Sequence, residues 1–187
     1  MIKTAAENPL KAEKRISAGG VVFRPSGSTV EVALISVMGG KVWGLPKGAL
    51  QKGENIARTA HREVKEETGL DGKITRNLGH IEYFFSYKEG KETKRVFKIV
   101  YFFLMEFTGG DIKDHDEEVS ESAWFPIDEA IRLMKYDDEK EILKKAGFDE
   151  SKRRLLIEEG VVGAPVFIAN NRGGVDVEIK DREQIGL

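Results

Sequence analysis

The residues with the strongest potential for chemistry are three glutamates in one short segment, Glu63, Glu66 and Glu67. They lie three and four residues apart, so on a helix their carboxylates would share one face. Like charges at this spacing destabilise an isolated helix by roughly 0.2–0.5 kcal/mol per pair. A divalent cation would turn that repulsion into coordination, because Mg²⁺ and Mn²⁺ prefer hard oxygen ligands. The alternative is an ordinary solvated helix with Arg62 and Glu66 as an ion pair.

The segment around these glutamates predicts a loop followed by a helix. Strong helix formers run through residues 54–67, and Gly69 stands where a left-handed cap would end the helix. Apolar residues at helical spacing mark one buried stripe, formed by Ile56, Ala57, Ala60 and Val64. The glycine-punctuated stretch before the helix could bring a backbone carbonyl to the same cation, and Gly48 is the favoured donor.

The spacing of the whole stretch is more specific than the glutamates alone. It reads as Gly48, five residues, Glu54, seven residues, Arg62-Glu63-Val64, one residue, Glu66-Glu67, one residue and Gly69-Leu70. This pattern resembles the Nudix box, the signature of hydrolases that act on a nucleoside diphosphate linked to another group, and every fixed position matches. The resemblance implies an α/β fold, an α/β/α sandwich with a mixed central sheet, over residues 15–148. The order of strands and helices along the chain argues for the same layers.

The resemblance also implies a metal-dependent mechanism, with Mg²⁺ or Mn²⁺ as the cofactor. The implied metal ligands are Gly48, Glu63, Glu66, Glu67 and Glu118, and the implied catalytic residues are Arg62, Glu63, Glu67 and Glu118. Either Glu63 or Glu118 would be the general base, while Arg62 and Glu54 would hold the glutamates and the loop in place. Glu118 is chosen from an acidic run, residues 114–118, that could also be an ordinary solvated loop; His115 in that run is weak evidence for a ligand.

The flanks of the box indicate a substrate class. Residues 43–48 are similar to the W-x-x-P-K-G segment of the diadenosine tetraphosphate hydrolases, and residues 97–104 and 124–130 are similar to the same group. On this resemblance Lys47 and Lys98 would contact the polyphosphate and Tyr83 would stack on a base. Lysines near a metal site suit a chain of phosphates. Trp43 is better interpreted as a core residue than as a ligand.

The reaction implied by these residues is Mg²⁺-dependent attack of water on the tetraphosphate bridge, which yields ATP and AMP. The box is shared by enzymes with other substrates, so nucleoside triphosphates and 8-oxo-dGTP, ADP-ribose, nucleotide sugars, diphosphoinositol phosphates and RNA 5′ ends stay open. A non-catalytic nucleotide-sensing module is a further alternative. Such modules commonly lose glutamates from the box, whereas this chain keeps them all.

Composition and charge limit the partners. The chain of 187 residues is 40% hydrophobic and 33% charged, which is typical of one soluble globular domain. Its net charge of −2 argues against a general affinity for nucleic acid, so phosphate binding must be local. The absence of cysteine excludes disulfides and thiolate metal sites. Without a signal peptide or a membrane-spanning apolar run, we expect a cytoplasmic protein that binds a small nucleotide and no membrane.

The rest of the chain predicts strands on both sides of the central helix. Strands are expected at residues 16–24, 30–38, 72–78, 79–87, 95–107 and 122–126, and further helices at 127–135 and 137–146. Asp128 would help to cap the first of these helices.

The two ends of the chain lie outside the resemblance. Residues 1–14 are expected to form a flexible lead-in. Residues 149–187 are a C-terminal extension of unknown role, with a helix at 151–159 and short β-like pieces after it. This extension would pack either on the domain or on a second copy of the chain in a homodimer, and the sequence leaves both arrangements open.

Overall fold

The computed structural model describes residues 12–27 and 29–148, together with two short strands near the C-terminus. In chain order the elements are β1 (Glu13–Ser26), β2 (Thr29–Val37), β3 (Val42–Gly44), β4 (Lys47–Ala49), α1 (Ile56–Thr68), β5 (Leu70–Glu89), β6 (Glu92–Gly110), β7 (Glu121–Pro126), α2 (Ile127–Leu133), α3 (Asp137–Lys145), β8 (Val166–Ala169) and β9 (Val175–Glu178). Within these described ranges, no helix is long and apolar enough to cross a membrane.

Seven strands form one mixed sheet. Its main path has the order β3-β2-β1-β6-β5, with β4 also paired to β1 and β7 to β2. β1 and β6 run parallel, while the other pairs in this sheet are antiparallel. β5 and β6 form a long hairpin whose register shifts at three places. Because such bulges bend and twist a strand without ending it, one strand replaces the two segments expected at 72–78 and 79–87.

Apolar clusters cover both faces of this sheet. On one face, Ala60 and Val64 of α1 pack with sheet residues such as Met105. On the other, Leu143 of α3 packs with α2 and with sheet residues such as Phe102. The side chains of Val64, Met105, Phe102 and Leu143 are each less than 2% exposed. Burying one such side chain stabilises the fold by roughly 1.5–3 kcal/mol. The predicted α/β/α sandwich with a mixed central sheet is therefore confirmed.

The ends of α1 are fixed by local capping interactions. The side chain of Asn55 accepts a hydrogen bond from the Arg58 amide at 2.9 Å, which satisfies one of the unpaired donors of the first turn. Gly69 ends the helix in the left-handed conformation with φ 71°, and its amide donates to the carbonyl of Lys65. The predicted glycine cap is therefore confirmed, whereas the asparagine cap was not predicted.

The buried stripe of α1 is partly as predicted. Ala60 and Val64 are buried, but Ile56 and Ala57 are only partly buried. Thr59 and Thr68 occupy the other buried positions. Both hydroxyls are satisfied, since Thr59 donates to Glu54 and Thr68 to a carbonyl of the preceding turn. The apolar pattern missed them because it counts only apolar residue types.

Two local predictions are wrong. Gly48 does not lie in an irregular loop, because it belongs to β4 and pairs with Ala18 of β1. Asp128 does not cap α2: the cap residue is Pro126, which makes no capping hydrogen bond through its side chain, and Asp128 lies inside the first turn. A negative charge at that place still interacts favourably with the helix dipole.

The C-terminal strands were predicted as β-like pieces, and they are confirmed. β8 and β9 pair antiparallel, with Ile168 opposite Asp176. The expected lead-in ends too late, because Glu13 and Lys14 already belong to β1 and pair with β6. Residues 1–11 and the helix expected at 151–159 lie outside the described residues. The boundaries of the domain, the role of the extension and a homodimer remain predictions.

Candidate active site

Arg62 is the centre of a polar network on α1. Its Nε and Nη2 donate to the two carboxylate oxygens of Glu54 at 2.7 and 3.1 Å, a bidentate contact that fixes the plane of the guanidinium. Its Nη1 donates to Glu63 at 2.7 Å and to Glu66 at 2.8 Å. Nη2 also donates to the carbonyl of Ala49 at 3.0 Å. Arg62 therefore joins the end of β4 and the loop before α1 to two of the predicted metal ligands.

Glu54 is an acceptor for several groups besides Arg62. The hydroxyl of Thr59 donates to its Oε2 at 2.8 Å, and the amide of Gln51 donates to the same oxygen at 3.2 Å. The hydrogen bond from Arg62, followed by that from Thr59, lowers the pKa of Glu54 to about 2. Glu54 therefore stays ionised over the whole neutral range and is placed to hold Arg62, as the sequence predicts.

Glu63 lies directly against the backbone of Gly48. A Cβ atom built on Gly48 would overlap the Glu63 carboxylate, so this close approach requires a glycine. The side chain of Glu63 is only 12% exposed. Burial raises the pKa of its carboxyl, Arg62 opposes that effect, and the charges of Glu66 and Glu118 raise it further.

Glu67 reaches from α1 to the strand that carries Lys47. Its Oε2 accepts a hydrogen bond from the Lys47 amide at 2.6 Å. Burial raises the pKa of the Glu67 carboxyl to about 8, although Lys47 opposes the increase. The negative charges of Glu63 and Asp116 add to it. The α1 face therefore concentrates carboxylates that repel one another in a partly sheltered place.

Lys47 is held from the other face of the sheet. Its Nζ lies 3.0 Å from Oε1 of Glu139 and donates to the carbonyl of Leu45 at 3.2 Å. The second carboxylate oxygen of Glu139 accepts from the Leu45 amide at 2.9 Å. The sequence does not reveal the role of Glu139, because this residue stands in an acidic first turn of α3 that looks solvated and lies 94 residues from Leu45. No local pattern signals such a contact.

The three predicted substrate-binding residues lie near one another. Tyr83 on β5 and Lys98 on β6 are opposite each other in the hairpin. Burial lowers the pKa of Lys98, and the positive charge of Lys47 lowers it further, while Glu67 opposes both. Burial raises the pKa of Tyr83, and the charge of Lys47 opposes that increase. Lys47, Lys98 and Tyr83 are thus brought together beside one of the predicted metal ligands.

The acidic loop before β7 also approaches α1. The amide of Asp116 donates to the carbonyl of Glu66 at 2.8 Å, and the amide of Glu118 donates to Oδ1 of Asp116 at 3.1 Å. Glu118 is exposed and its charge acts on Glu63, whereas the charge of Asp116 acts on Glu67. The loop therefore supplies two candidate carboxylates, of which the sequence pattern indicates only Glu118.

Trp43 packs as its interpretation as a core residue predicts. It is partly buried against the cluster under α2 and α3. Its ring meets Phe125 edge to face with centroids 4.8 Å apart. Such aromatic pairs contribute about 0.5–1.5 kcal/mol beyond their buried area.

The donor set suits a divalent cation, although its members are engaged with protein groups. Among the described residues, no three acidic or imidazole side chains are grouped closely enough to hold a metal ion as they stand. Arg62 engages Glu63 and Glu66, and the Lys47 amide engages Glu67. All are hard oxygen donors, and burial beside other carboxylates raises the pKa values of Glu63 and Glu67. A cation would neutralise this excess negative charge, so the residues fit a site for Mg²⁺ or Mn²⁺.

Known proteins with similar sequences share the region that contains this site. A family model described as NUDIX domain matches residues 13–146. The 8-oxo-(d)GTP phosphatase of Mycolicibacterium smegmatis is 35% identical over 148 residues, which cover 78% of this chain and 42% of that protein. The asymmetrical bis(5′-nucleosyl)-tetraphosphatase of Rattus norvegicus is 28% identical over 142 residues, covering 69% of this chain and 90% of that protein. The chain spans about half the length of several curated relatives that it matches, between 42% and 53%.

A solved structure shows the same fold. The crystal structure of a C. elegans Ap4A hydrolase binary complex matches with a TM-score of 0.56 and 24% identity, covering 71% of this chain and 95% of that one. At this level of identity the likeness concerns the fold alone. The family match, in contrast, extends over most of the chain and includes β1 to α3, which carry the carboxylates and lysines described above. This chain therefore belongs to the NUDIX domain family.

Proposed function

We propose that this chain is a hydrolase that uses a divalent cation to cleave a phosphoanhydride bond of a nucleoside polyphosphate. The observation that carries the proposal is the contact of Glu67 with Lys47, which brings the carboxylates of α1 beside a lysine. Carboxylates suit a hard cation, and lysines suit the negative charge of a phosphate chain. Membership of the NUDIX family supports the same class of reaction.

The proposed ligands of Mg²⁺ or Mn²⁺ are Gly48 through its carbonyl, Glu63, Glu66, Glu67 and Glu118. When bound, such a cation neutralises charge on the phosphoryl oxygens and polarises a water molecule. The chain itself supplies orientation: Arg62 holds Glu63 and Glu66, and the Lys47 amide holds Glu67. Asp116, whose charge acts on Glu67, is a further candidate that the sequence did not suggest.

The chain also supplies a proton acceptor for the reaction. In the proposed step, a water oxygen forms a bond to phosphorus, a bridging phosphorus–oxygen bond breaks, and the leaving phosphate keeps the electron pair. The proton of the water passes to a carboxylate, for which Glu63 and Glu118 are the two candidates. Glu63 is sheltered against Gly48, whereas Glu118 is exposed. Because the charge of Glu118 raises the pKa of Glu63, loss of Glu118 would lower that pKa.

We propose diadenosine tetraphosphate as the substrate and ATP and AMP as the products. Lys47 and Lys98 would contact the polyphosphate, and Tyr83 would stack on a base. The similarity of residues 43–48 to the diadenosine tetraphosphate hydrolases supports this choice. The rat tetraphosphatase supports it as well, since the matched region covers 90% of that enzyme.

The second candidate substrate is 8-oxo-dGTP. It is favoured by the 8-oxo-(d)GTP phosphatase, whose identity to this chain, 35%, exceeds the 28% of the rat tetraphosphatase. Both substrates would use the same carboxylates and lysines. They differ in the leaving group, because only the dinucleotide presents a second nucleoside on the far side of the phosphate chain.

A panel of nucleotides tests the proposal. The full chain is incubated with Mg²⁺ and diadenosine tetraphosphate, 8-oxo-dGTP, ATP, ADP-ribose or UDP-glucose, and the products are separated by anion-exchange chromatography. Fastest conversion of the dinucleotide to ATP and AMP is the expected result. Preference for another compound would keep the metal site and overturn the proposed substrate. No turnover of any compound would overturn the hydrolase and favour a nucleotide-sensing module.

A further inference from the structure

We infer that Glu139 is a positioning residue that links α3 to the carboxylates of α1 through Lys47. In this arrangement Glu139 fixes the segment around Lys47, so that the Lys47 amide meets Glu67 while its ammonium is directed to the substrate. The effect on catalysis rests on the proposed function. The effect on the geometry of Lys47 does not, and it can be measured without turnover.

The contacts hold three consecutive residues at three points. The Glu139 carboxylate accepts from the Leu45 amide at 2.9 Å and lies 3.0 Å from the Lys47 ammonium. Between these residues, the carbonyl of Pro46 accepts from the amide of Gly20 at 3.1 Å. Because the proline ring also fixes φ at its position, the segment has little freedom to rotate. The next amide along the chain, that of Lys47, is the one that meets Glu67 at 2.6 Å.

The helix that carries Glu139 is itself held at its far end. Nη2 of Arg76, on β5, donates to the carbonyls of Lys145 and Ala146, both at 2.8 Å. Between these carbonyls and Glu139, Ile142 is buried in the core at 1% exposure. A tilt of α3 would break these contacts together. The carboxylate of Glu139 therefore projects from a rigid support.

Burial of this carboxylate is costly and is not needed for packing. The side chain of Glu139 is 3% exposed and that of Lys47 is 22% exposed. Well-packed apolar residues commonly serve as well as a buried ion pair or better, so packing alone does not call for a glutamate here. The backbone also makes room for it, since a Cβ built on Gly44 would lie 2.8 Å from Oε2 of Glu139. Because the Glu139 carboxylate contacts both the Leu45 amide and the Lys47 ammonium, we infer that it positions this segment.

The ammonium of Lys47 keeps one donor for a substrate. Of its three N–H groups, Glu139 and the carbonyl of Leu45 accept two. The third can donate to a phosphate oxygen. Without Glu139, Lys47 would keep its charge but lose its fixed direction, and Glu67 would lose a fixed partner. We therefore expect loss of Glu139 to lower kcat while KM stays unchanged or falls.

The first test compares Glu139→Gln with Glu141→Gln. Glu141 is on the same helix, is 62% exposed and pairs with Lys144 at 2.7 Å, which makes it a matched control. With diadenosine tetraphosphate and Mg²⁺, Glu139→Gln should lower kcat by roughly 10- to 100-fold without raising KM. The control should keep both constants. If the Glu139→Gln variant had a lower melting temperature but an unchanged kcat, Glu139 would have a role in stability alone, and the inference would be overturned.

A double-mutant cycle tests whether Glu139 acts through Lys47. Lys47→Met removes the cation and leaves a buried carboxylate, so Lys47→Met/Glu139→Gln should melt at a higher temperature than Lys47→Met alone. The double variant should also lose no more kcat than Lys47→Met. Independent losses that multiply in the double variant would overturn the link between the two residues.

A spectroscopic measurement separates this inference from the proposed function. In ¹H–¹⁵N spectra the Lys47 amide proton, bonded to a carboxylate, should lie downfield, move upfield in Glu139→Gln and stay in place in Glu141→Gln. An unchanged Lys47 amide in Glu139→Gln would overturn the inference whatever the activity. A chain that hydrolyses no nucleotide but shows the expected shift would overturn the proposed function and keep the inference.

Discussion

The two faces of the sheet contribute to the site in different ways. On the α1 face, Arg62 contacts Glu54, Glu63 and Glu66, all within eight residues of it in the chain. These acidic side chains are 12–46% exposed. On the α3 face, Glu139 is 3% exposed and contacts Leu45 from 94 residues away. The α1 network is formed by residues close together in the chain, whereas the contact on the α3 face joins distant residues and its carboxylate is almost fully buried.

This difference predicts that the contacts on the α1 face can rearrange, whereas the contact on the α3 face is rigid. Exposed ion pairs contribute about 0–1 kcal/mol each, so Glu66, at 46% exposure, can exchange Arg62 for a cation at small cost. Breaking a buried pair costs about 3–5 kcal/mol, so the pair of Lys47 and Glu139 resists rearrangement. We therefore expect changes on the α1 face to affect turnover more than folding, and changes on the α3 face to affect both.

The largest effect is expected for Glu67→Gln on the α1 face. The amide cannot provide a charged ligand, so turnover should fall by on the order of 10²-fold or more. Loss of a residue that only orients a metal ligand already lowers activity by about 10- to 100-fold. The melting temperature should not fall, because glutamine has the same size and keeps an oxygen that can accept from the Lys47 amide. Steady-state kinetics and thermal melting measure the two effects. Retained turnover would contradict the site assignment.

Gly48→Ala should be the next most harmful change. The new Cβ would overlap the Glu63 carboxylate and displace it, and a displacement of about 1 Å in a catalytic group can cost about 10²-fold. Gly109→Ala is the matched control, because a Cβ there meets nothing within 4 Å. Both variants are compared by kcat and by the binding of Mn²⁺. Equal activity in the two variants would show that Glu63 is not confined by Gly48.

Arg62→Lys should have a smaller effect on the same network. Lysine keeps the charge but cannot contact Glu54 through two nitrogens while also reaching Glu63. Turnover should fall by roughly 10-fold, within the range for residues that orient metal ligands. Arg58→Lys, at an exposed position of α1, is the control. A loss as large as that of Glu67→Gln would mean that Arg62 does more than hold the glutamates.

The smallest effect concerns acid stability and Glu54. Its pKa is lowered from an ordinary value of 4.5 to about 2 in the folded protein. The stabilisation is therefore complete above about pH 4.5 and is lost as the pH falls towards 2. Glu54→Gln should be less stable than the parent at pH 7, and the difference should shrink below pH 4. Urea denaturation at a series of pH values measures it; a constant difference would contradict the prediction.

The α1 face could be predicted from the sequence because its contacts are local. Arg62 and Glu66 form an ion pair one helical turn apart, and Gly69 lies at the end of the helix that it caps. The buried pair on the other face could not be predicted in this way. Glu139 meets Lys47 only after α3 has packed on the sheet, and its neighbours Asp137 and Asp138 are exposed.

The other differences between the predicted and the observed structure have similar physical causes. The hairpin of β5 and β6 continues through its bulges because pairing across the sheet outweighs local breaks in the pattern. Gly48 joins a strand because β1 offers it a pairing partner, Ala18. Asp116 and Glu118 are indistinguishable as carboxylates in an acidic run, and the fold of the loop gives each a different neighbour on α1.

Hydrolysis of diadenosine tetraphosphate in ¹⁸O-labelled water shows whether the α1 carboxylates form the site of a cation-dependent phosphoanhydride hydrolase. We expect ATP and AMP, with one labelled oxygen in one of the two products, when Mg²⁺ is present. We expect no reaction in EDTA and almost none with Glu67→Gln. Equal turnover in EDTA, or equal turnover by Glu67→Gln, would contradict this assignment.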